Sequence, residues 1–451
     1  MSALPARTPR SMRASVGSFL PLLILAAGLC LTPVSPAHSD DLSRFEKERG
    51  RMMLGIIRKD LDKYYYDESF HGVKLDEVFK EASGKIDQAQ SLSRLLGVIS
   101  LPLLELDDSH TFFIPPERSA RFQFGWQMQA IGDRCYVTSV QEGSDAQAKG
   151  LKQGDRVISV NDREPVRENL WAITYAHRVL APRTTLPMVV QSPGEEPRRI
   201  EVAAKIQERK RIRRSDSPFD LGDQIREFED EAYLTRHRFE EVEDGLLIWK
   251  MPQFDLTSDE IRNLMRRIRK YHSLVLDLRG DGGGATETLE RMAGGFLQDK
   301  TKIGDLKSRA RMPPIVARQT GDLFEGPVVV LVDSESASAA ELFARMMQIS
   351  GRAKVIGDRT AGAVMMSRRF AHSIGDRSAI SFASSITIAD IIMPDGKSLE
   401  HVGVVPDEVL LPTADDLVAG RDPVLSRAAA LCGVTIDPKK AGGYFPFEWE
   451  R

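Results

Sequence analysis

The chain has 451 residues, is 42% hydrophobic and 28% charged, and carries a formal net charge of −3. That composition supports buried cores, excludes a chain disordered throughout, and lacks the basic footprint of a nucleic-acid binder. The length suits about three domains.

Residues 1–37 read as a signal peptide. Arg7, Arg10 and Arg13 make a basic start, residues 20–31 are an apolar run too short to span a bilayer comfortably, and small residues at 35–37 offer a cleavage point. An exported protein, periplasmic or secreted, with no stable membrane span after cleavage is the expectation. Cys135 and Cys432 stand far apart and are expected as two free buried thiols, and no cysteine–histidine spacing suggests zinc. No sequence feature bears on oligomeric state.

A helical N-terminal domain is expected over residues 41–118, with amphipathic patterns at 44–65 and 74–104. Tyr64, Tyr65 and Tyr66 read as packing residues, and His71 as a surface histidine in a polar turn. The stretch LDDSHTF (residues 106–112) then interrupts an apolar context with ionisable groups, among them Ser109 and His110. Asp-Ser suits a turn, and a histidine can serve as a base near neutral pH.

Residues 119–205 alternate like short strands separated by glycine turns. GSDA (143–146), GLKQGD (150–155) and VISVND (157–162) occur in the order found in PDZ domains, which this module resembles. The resemblance implies an extended peptide added as a strand, its terminal carboxylate held by backbone N–H groups, with Phe124, Gly125, Trp126 and Gln127 as the binding loop. Residues 206–244, basic then acidic, read as a solvated linker and hinge.

From residue 245 to 435 strands and helices alternate, followed by a tail at 436–451. Strands are expected at 246–254, 274–278 and 327–332, and a basic helix at 258–271. The loop RGDGGG (279–284) lacks the pattern of a phosphate cradle but offers unhindered N–H groups to a developing oxyanion. After the valine-rich strand, the chain turns into a helix at Ser338. Ser338 and Glu341 have the spacing of a capping box, which by itself only starts a helix.

Three separated segments make the chain resemble the C-terminal processing (tail-specific) peptidases. They are LDLRGDGGG (276–284), SASAAE (336–341) and LEHVGVVPD (399–407). The implied fold is α+β and multidomain: a helical N-terminal part, a β-rich PDZ domain, and an αβ (ββα-type) core like the tail-specific protease/crotonase-like fold. The resemblance implies a serine peptidase that forms an acyl-enzyme on Ser338, uses no metal or organic cofactor, and acts on unfolded or C-terminally exposed polypeptides.

One departure matters. Where the familiar branch has a lysine base in a Thr-x-Gly-Lys motif, this chain has Ala363 in TAGA (360–363). Alanine cannot accept a proton. The chain is closer to the tricorn-type branch, which pairs serine with histidine. That likeness implies His110 as base, Ser109 and Glu400 as orienting groups, and Gly283 or Gly284 with Ala339 as the oxyanion hole. His401, beside Glu400, is the competing base, and Lys354 reads as an edge or snorkelling lysine. The other function class is a catalytically inactive PDZ-containing peptide-binding or scaffold protein, for which the absent lysine is the argument.

Overall fold

The computed structural model describes residues 42–118, 120–208, 236–375 and 379–449. The signal-peptide reading and the central part of the linker reading, residues 209–235, therefore lie outside the described residues. Among the described residues, no helix is long and apolar enough to cross a membrane.

Three helices open the described chain. Arg44–Tyr64 starts at a capping box in which Ser43 and Glu46 satisfy each other's backbone N–H, and it buries Met53, Leu54, Ile57 and Leu61 along one face. Leu75–Asp87 and Leu92–Leu104 complete the group. Their apolar faces close over the long hairpin Met365–Ile374/Ile380–Ile392, where Phe382 and Ile386 join the same core. Tyr65 is fully buried there, as packing was expected. His71 is exposed in its turn, as expected, and is also tied down. Its ring lies between the Tyr66 hydroxyl (2.8 Å) and the Leu106 carbonyl (2.9 Å), so it ties the helices to the turn that follows them.

That turn feeds the short strand Phe112–Ile114, which pairs antiparallel with Ile380–Ile392. Two side chains lock the junction: Thr387 N–H donates to Thr111 Oγ1 (3.0 Å), and Thr387 Oγ1 donates to Asp108 Oδ1 (2.6 Å). Ser109 and His110 are thus carried on a rigid splice between the helices and a sheet.

The β-rich module is a five-stranded antiparallel sheet with strands in sequence order, from Trp126–Ile131 to Arg198–Ala203. Cys135 is buried in it and Cys432 is partly buried elsewhere; both are free thiols. Burial pushes each thiol up to about 11. The flanks of the expected linker are strands instead: Lys205–Glu208 pairs with Ala120–Gln123, and Arg238–Val242 pairs with Leu246–Lys250. Backbone pairing overrides the charge of these segments, because side chains on strand edges keep their charges in water.

The core sheet has six strands in the order Glu408–Val409, Lys354–Gly357, Val328–Val332, Ser273–Asp277, Leu246–Lys250, Arg238–Val242. All neighbours are parallel except the last pair. Every residue of Ser273–Asp277 and Val328–Val332 is buried, as expected for a parallel sheet covered on both faces. The connecting loops at the C-terminal ends of the two central strands, 278–285 and 333–338, meet each other. Ligands of open α/β sheets bind at such ends.

Candidate active site

Ser338 stands between the buried strand Val328–Val332 and the helix Ala339–Ile349. The polar turn between them is closed by Asp333, whose Oδ1 accepts N–H groups from Gly280 (2.9 Å), Glu335 (3.0 Å) and Ser336 (3.1 Å). Ser338 itself has φ +54°, ψ −117°, outside the comfortable range for an L side chain. A strained residue of this kind costs on the order of 1–3 kcal/mol and persists only where the surroundings over-determine it.

Those surroundings are visible. The Ser338 N–H is shared between Glu341 Oε2 (3.0 Å) and the Ala363 carbonyl (2.9 Å). Glu341 is fully buried and also accepts N–H groups from Gly362 (2.8 Å) and Ala363 (3.0 Å), and the Thr360 hydroxyl. Burial pushes its carboxyl up to about 7, against the pull of these donors. The capping arm read from S-x-x-E is present, and it also pins the 360–363 loop to the serine. That second task was not legible in the sequence, because the spacing shows only the local partner.

The glycine loop lies against the serine from the other side. A Cβ on Gly283 (φ +96°) would fall 2.6 Å from Ser338 Cβ and 2.9 Å from Ala339 N, so glycine is required for the approach. One expectation is corrected: the Gly283 N–H already donates to Asp281 Oδ1 (2.8 Å) and is not free for an oxyanion. Gly284 differs. Phe254 N–H donates to the Gly283 carbonyl and Ala285 N–H to the Phe254 carbonyl, each at 2.7 Å, so the Gly284 N–H between them faces away from Phe254. The N–H groups of Gly284 and Ala339 are the pair the geometry leaves.

Asp277 and Arg279 anchor this loop. Arg279 pairs with Asp277 and with Asp422, both at 2.8 Å, while Lys250 Nζ stands 3.3 Å from Asp277. These cations hold the buried Asp277 carboxyl far below the usual carboxylate range despite desolvation. Arg279→Met leaves two carboxylates facing each other, and we expect it to lower the unfolding free energy by about 3 kcal/mol. The urea midpoint measures this; a change below about 1 kcal/mol would mean the cluster is effectively solvated.

Ser109, His110 and Glu400 meet as expected. Glu400 Oε1 accepts the Ser109 N–H (2.9 Å), and Oε2 accepts the Ser109 hydroxyl (2.9 Å) and the Val364 N–H (2.8 Å). Ser109 Oγ lies 2.7 Å from His110 Nδ1. Since the hydroxyl donates to Glu400, it must accept from Nδ1–H, which leaves Nε2 as the lone-pair nitrogen. Burial holds the imidazole below the ordinary histidine value of 6.5, so it is neutral near pH 7. Burial also raises the Glu400 carboxyl, opposed by the two N–H donors. Asp108 Oδ1 accepts the His110 N–H (2.8 Å).

The connection to Ser338 runs through two adjacent residues: Val364 N–H reaches Glu400, and the Ala363 carbonyl reaches Ser338 N–H. No direct hydrogen bond joins His110 Nε2 to Ser338 Oγ among the described residues; such bonds commonly tighten only with substrate present. The competing bases are otherwise engaged. His401 is exposed, and its Nε2 donates to the Asp107 carbonyl at 2.8 Å. Lys354 Nζ pairs with Glu408 at 2.6 Å, and Arg427 with Lys354 holds Glu408 down at about 2, so this lysine is a charged ion-pair partner.

In the β-rich module, Gly125 has φ +69° and its carbonyl accepts the Gln141 N–H (2.8 Å), which shapes the loop before Trp126–Ile131. Phe124 and Trp126 are more buried than a binding loop requires, because both pack into the module's own core. The module is fastened to the turn before Ser338: Gln129 Nε2 donates to Asp333 Oδ2 (2.6 Å), and Ser334 Oγ to the Ala130 carbonyl (2.5 Å). Sequence reading missed these fasteners, since isolated polar residues in strands and turns carry no signal of their partners.

Residues 245–410 match peptidase family S41, and residues 115–172 match the PDZ domain. The chain carries an S41 serine-type peptidase domain and a PDZ domain. Among relatives, it is 22% identical to the carboxy-terminal processing protease CtpB of Bacillus subtilis, over 84% of this chain and 78% of that one. It is 24% identical to a probable CtpA-like serine protease of Staphylococcus aureus (strain bovine RF122 / ET3-1), over 74% of this chain and 64% of that one. It is also 24% identical to the tail-specific protease of Haemophilus influenzae, over 66% of this chain but only 43% of that protein. Among solved structures, mature CPAF superposes with a TM-score of 0.62 at 15% identity, covering 82% of this chain and 94% of that one. The photosystem II D1 C-terminal processing protease gives 0.52 at 19% identity, covering 88% and 99%. At these identities the structures establish the shared fold alone. The loop 278–285, the turn at Ser338 and Glu400 all lie inside the S41 match, whereas Ser109 and His110 precede both matches.

Proposed function

We propose that the chain is an exported serine endopeptidase that cuts unfolded or C-terminally exposed polypeptides, with Ser338 as nucleophile and His110 as base. The single observation that carries this reading is the Glu400–Ser109–His110 chain. It leaves Nε2 unprotonated and shares the loop 363–364 with Ser338, where the lysine of the other branch is replaced by Ala363.

In the proposed cycle, Ser338 Oγ attacks a peptide carbonyl while His110 Nε2 takes its proton. Ser109 relays the Glu400 charge to Nδ1–H and so stabilises the imidazolium. The N–H groups of Gly284 and Ala339, at the positive end of the helix Ala339–Ile349, stabilise the oxyanion. The imidazolium then protonates the leaving amine, and water repeats the sequence on the acyl-enzyme. The PDZ domain holds the chain end as an added strand while the core cuts upstream. The cycle needs no metal.

The test is labelling by a fluorophosphonate probe with mass-spectrometric localisation. We expect one adduct, on Ser338, in the unmodified chain and in Lys354→Met and His401→Ala, and a rate at least 100-fold lower in His110→Ala. Labelling that survives in His110→Ala but is lost in either of the other two transfers the base role. The pH profile gives a second check. Activity needs neutral His110 and ionised Glu400, so it is present at high pH and lost as pH falls. Because burial lowers the imidazole from 6.5, the His110 contribution to the acid limb of kcat/KM is expected below pH 6.5, with the raised Glu400 carboxyl the other group on that limb. A limb at pH 8 or higher would point to a lysine base instead.

A further inference from the structure

After the helix Pro438–Gly442, the chain runs on through Tyr444–Trp449 without regular structure, and its burial alternates. Phe445, Phe447 and Trp449 are half-buried, while Pro446 and Glu448 face water. A period of two is the pattern of an extended segment with one face against a surface. That surface spans both domains. Phe445 and Phe447 line a cavity of about 300 Å³ whose other walls include Gln127 and Gln129 of the PDZ domain and Asp333 and Glu335 of the nucleophile turn. Trp449 lines the neighbouring small cavity together with Phe124, Gly125 and Trp126 of the expected peptide-binding loop.

The segment is held there by specific contacts. Arg238 donates to the Pro446 carbonyl (2.8 Å) and lies over the Phe445 ring at 5.3 Å. Arg236 pairs with Glu448 on the exposed side, and the Phe447 and Trp449 rings meet edge-on at 4.7 Å. Arg238 opens the strand that pairs along the edge of the core sheet and Arg236 lies just before it, so the segment bridges a core strand to the PDZ loop.

We infer that the seam between the PDZ loop and the nucleophile turn is a docking surface for extended peptides bearing aromatic side chains at alternate positions, and that Phe445–Trp449 is its resident occupant in cis. The inference rests on the PDZ domain as the peptide-binding part of the proposed function and adds the chemistry of what binds. A tethered segment competes at an effective concentration near the millimolar range. A seam occupied nine parts in ten by its own tail weakens the apparent affinity for a second peptide about tenfold. Substrates or partners with aromatic residues at every second position displace it best, since they refill the same cavities.

The experiment uses the full chain with Ser338→Ala, so that binding is read without cleavage. A fluorescent peptide of sequence YFPFEW, copied from residues 444–449, is titrated in its free-acid and amidated forms. We expect Phe447→Ala/Trp449→Ala to bind it at least tenfold more tightly than the parent. Glu448→Arg, which breaks the exposed ion pair with Arg236 and repels Arg238 while leaving the aromatic side chains in place, should bind it severalfold more tightly. A peptide with alanine at the positions of Phe445, Phe447 and Trp449 should bind none of them. Equal affinity for parent, Glu448→Arg and the double variant overturns the inference, and the exposed-site variant keeps that outcome decisive if the double variant folds poorly. The two peptide forms separate this from the underlying reading. If the released seam binds free acid and amide equally, the aromatic docking stands and carboxylate capture by the PDZ loop falls.

Discussion

Ser338→Ala and His110→Ala are each expected to lower kcat for an unstructured polypeptide by roughly 10⁴-fold or more, with the double variant losing little further. The reason lies in what each group does alone. A serine hydroxyl is a weak nucleophile at neutral pH, and the proposed base has nothing to deprotonate once the hydroxyl is gone. In the proposed mechanism the two act as one unit, so their losses do not add. What would survive is the proposed oxyanion hole of Gly284 and Ala339 with substrate binding, worth about 10³-fold over water in comparable sites. Both substitutions remove few buried contacts, so circular dichroism and the urea midpoint should match the parent. The measurement is release of new amino termini from an unfolded protein. Near-parent cleavage by His110→Ala would sink the proposed base, and additive losses in the double variant would show that the two residues act separately.

Glu400→Gln is expected to cost roughly 10³–10⁴-fold in kcat with little change in KM. The carboxylate accepts three hydrogen bonds, from the Ser109 N–H, the Ser109 hydroxyl and the Val364 N–H. An amide of the same shape offers one oxygen and two N–H donors, so at least one partner faces a donor. If the Ser109 hydroxyl loses its acceptor, it turns to donate to His110 Nδ1, the imidazole proton moves to Nε2, and the base is in the wrong tautomer. The predicted signature is a kcat loss that higher pH does not restore, because the defect is one of tautomer and not of ionisation. Steady-state kinetics from pH 6 to 9 measure it. A variant that recovers parent activity at pH 9 would show that Glu400 acts only through its charge.

The parts of this protein that are legible without coordinates are those whose physical cause is local. The valine run before Ser338 can only be a buried strand, and RGDGGG can only be a loop whose backbone comes close to something. The helices that begin near Arg44 and Ser258 announce themselves through apolar stripes. The missing lysine is equally plain, since Ala363 has no group to ionise. The failures are also local readings. Charge suggests a linker where Lys205–Glu208 and Arg238–Val242 form strands, and backbone hydrogen bonding is indifferent to that charge. Gly283 has the look of an oxyanion donor, but Asp281, two residues earlier, takes its N–H.

By itself, then, the sequence determined the element types wherever apolar periodicity marked them, the order of the parts and the residue kinds available for chemistry, because these follow from periodicity, turn propensity and functional groups. Only the tertiary structure decided which of those groups work together. Ser109 and Glu400 are 291 positions apart and share two hydrogen bonds, and Ala363 and Glu341 hold Ser338 from a loop and a helix that carry no mark of each other. Such pairings arise when sheets and helices bury their apolar faces, and the polar groups brought together must then satisfy one another away from water.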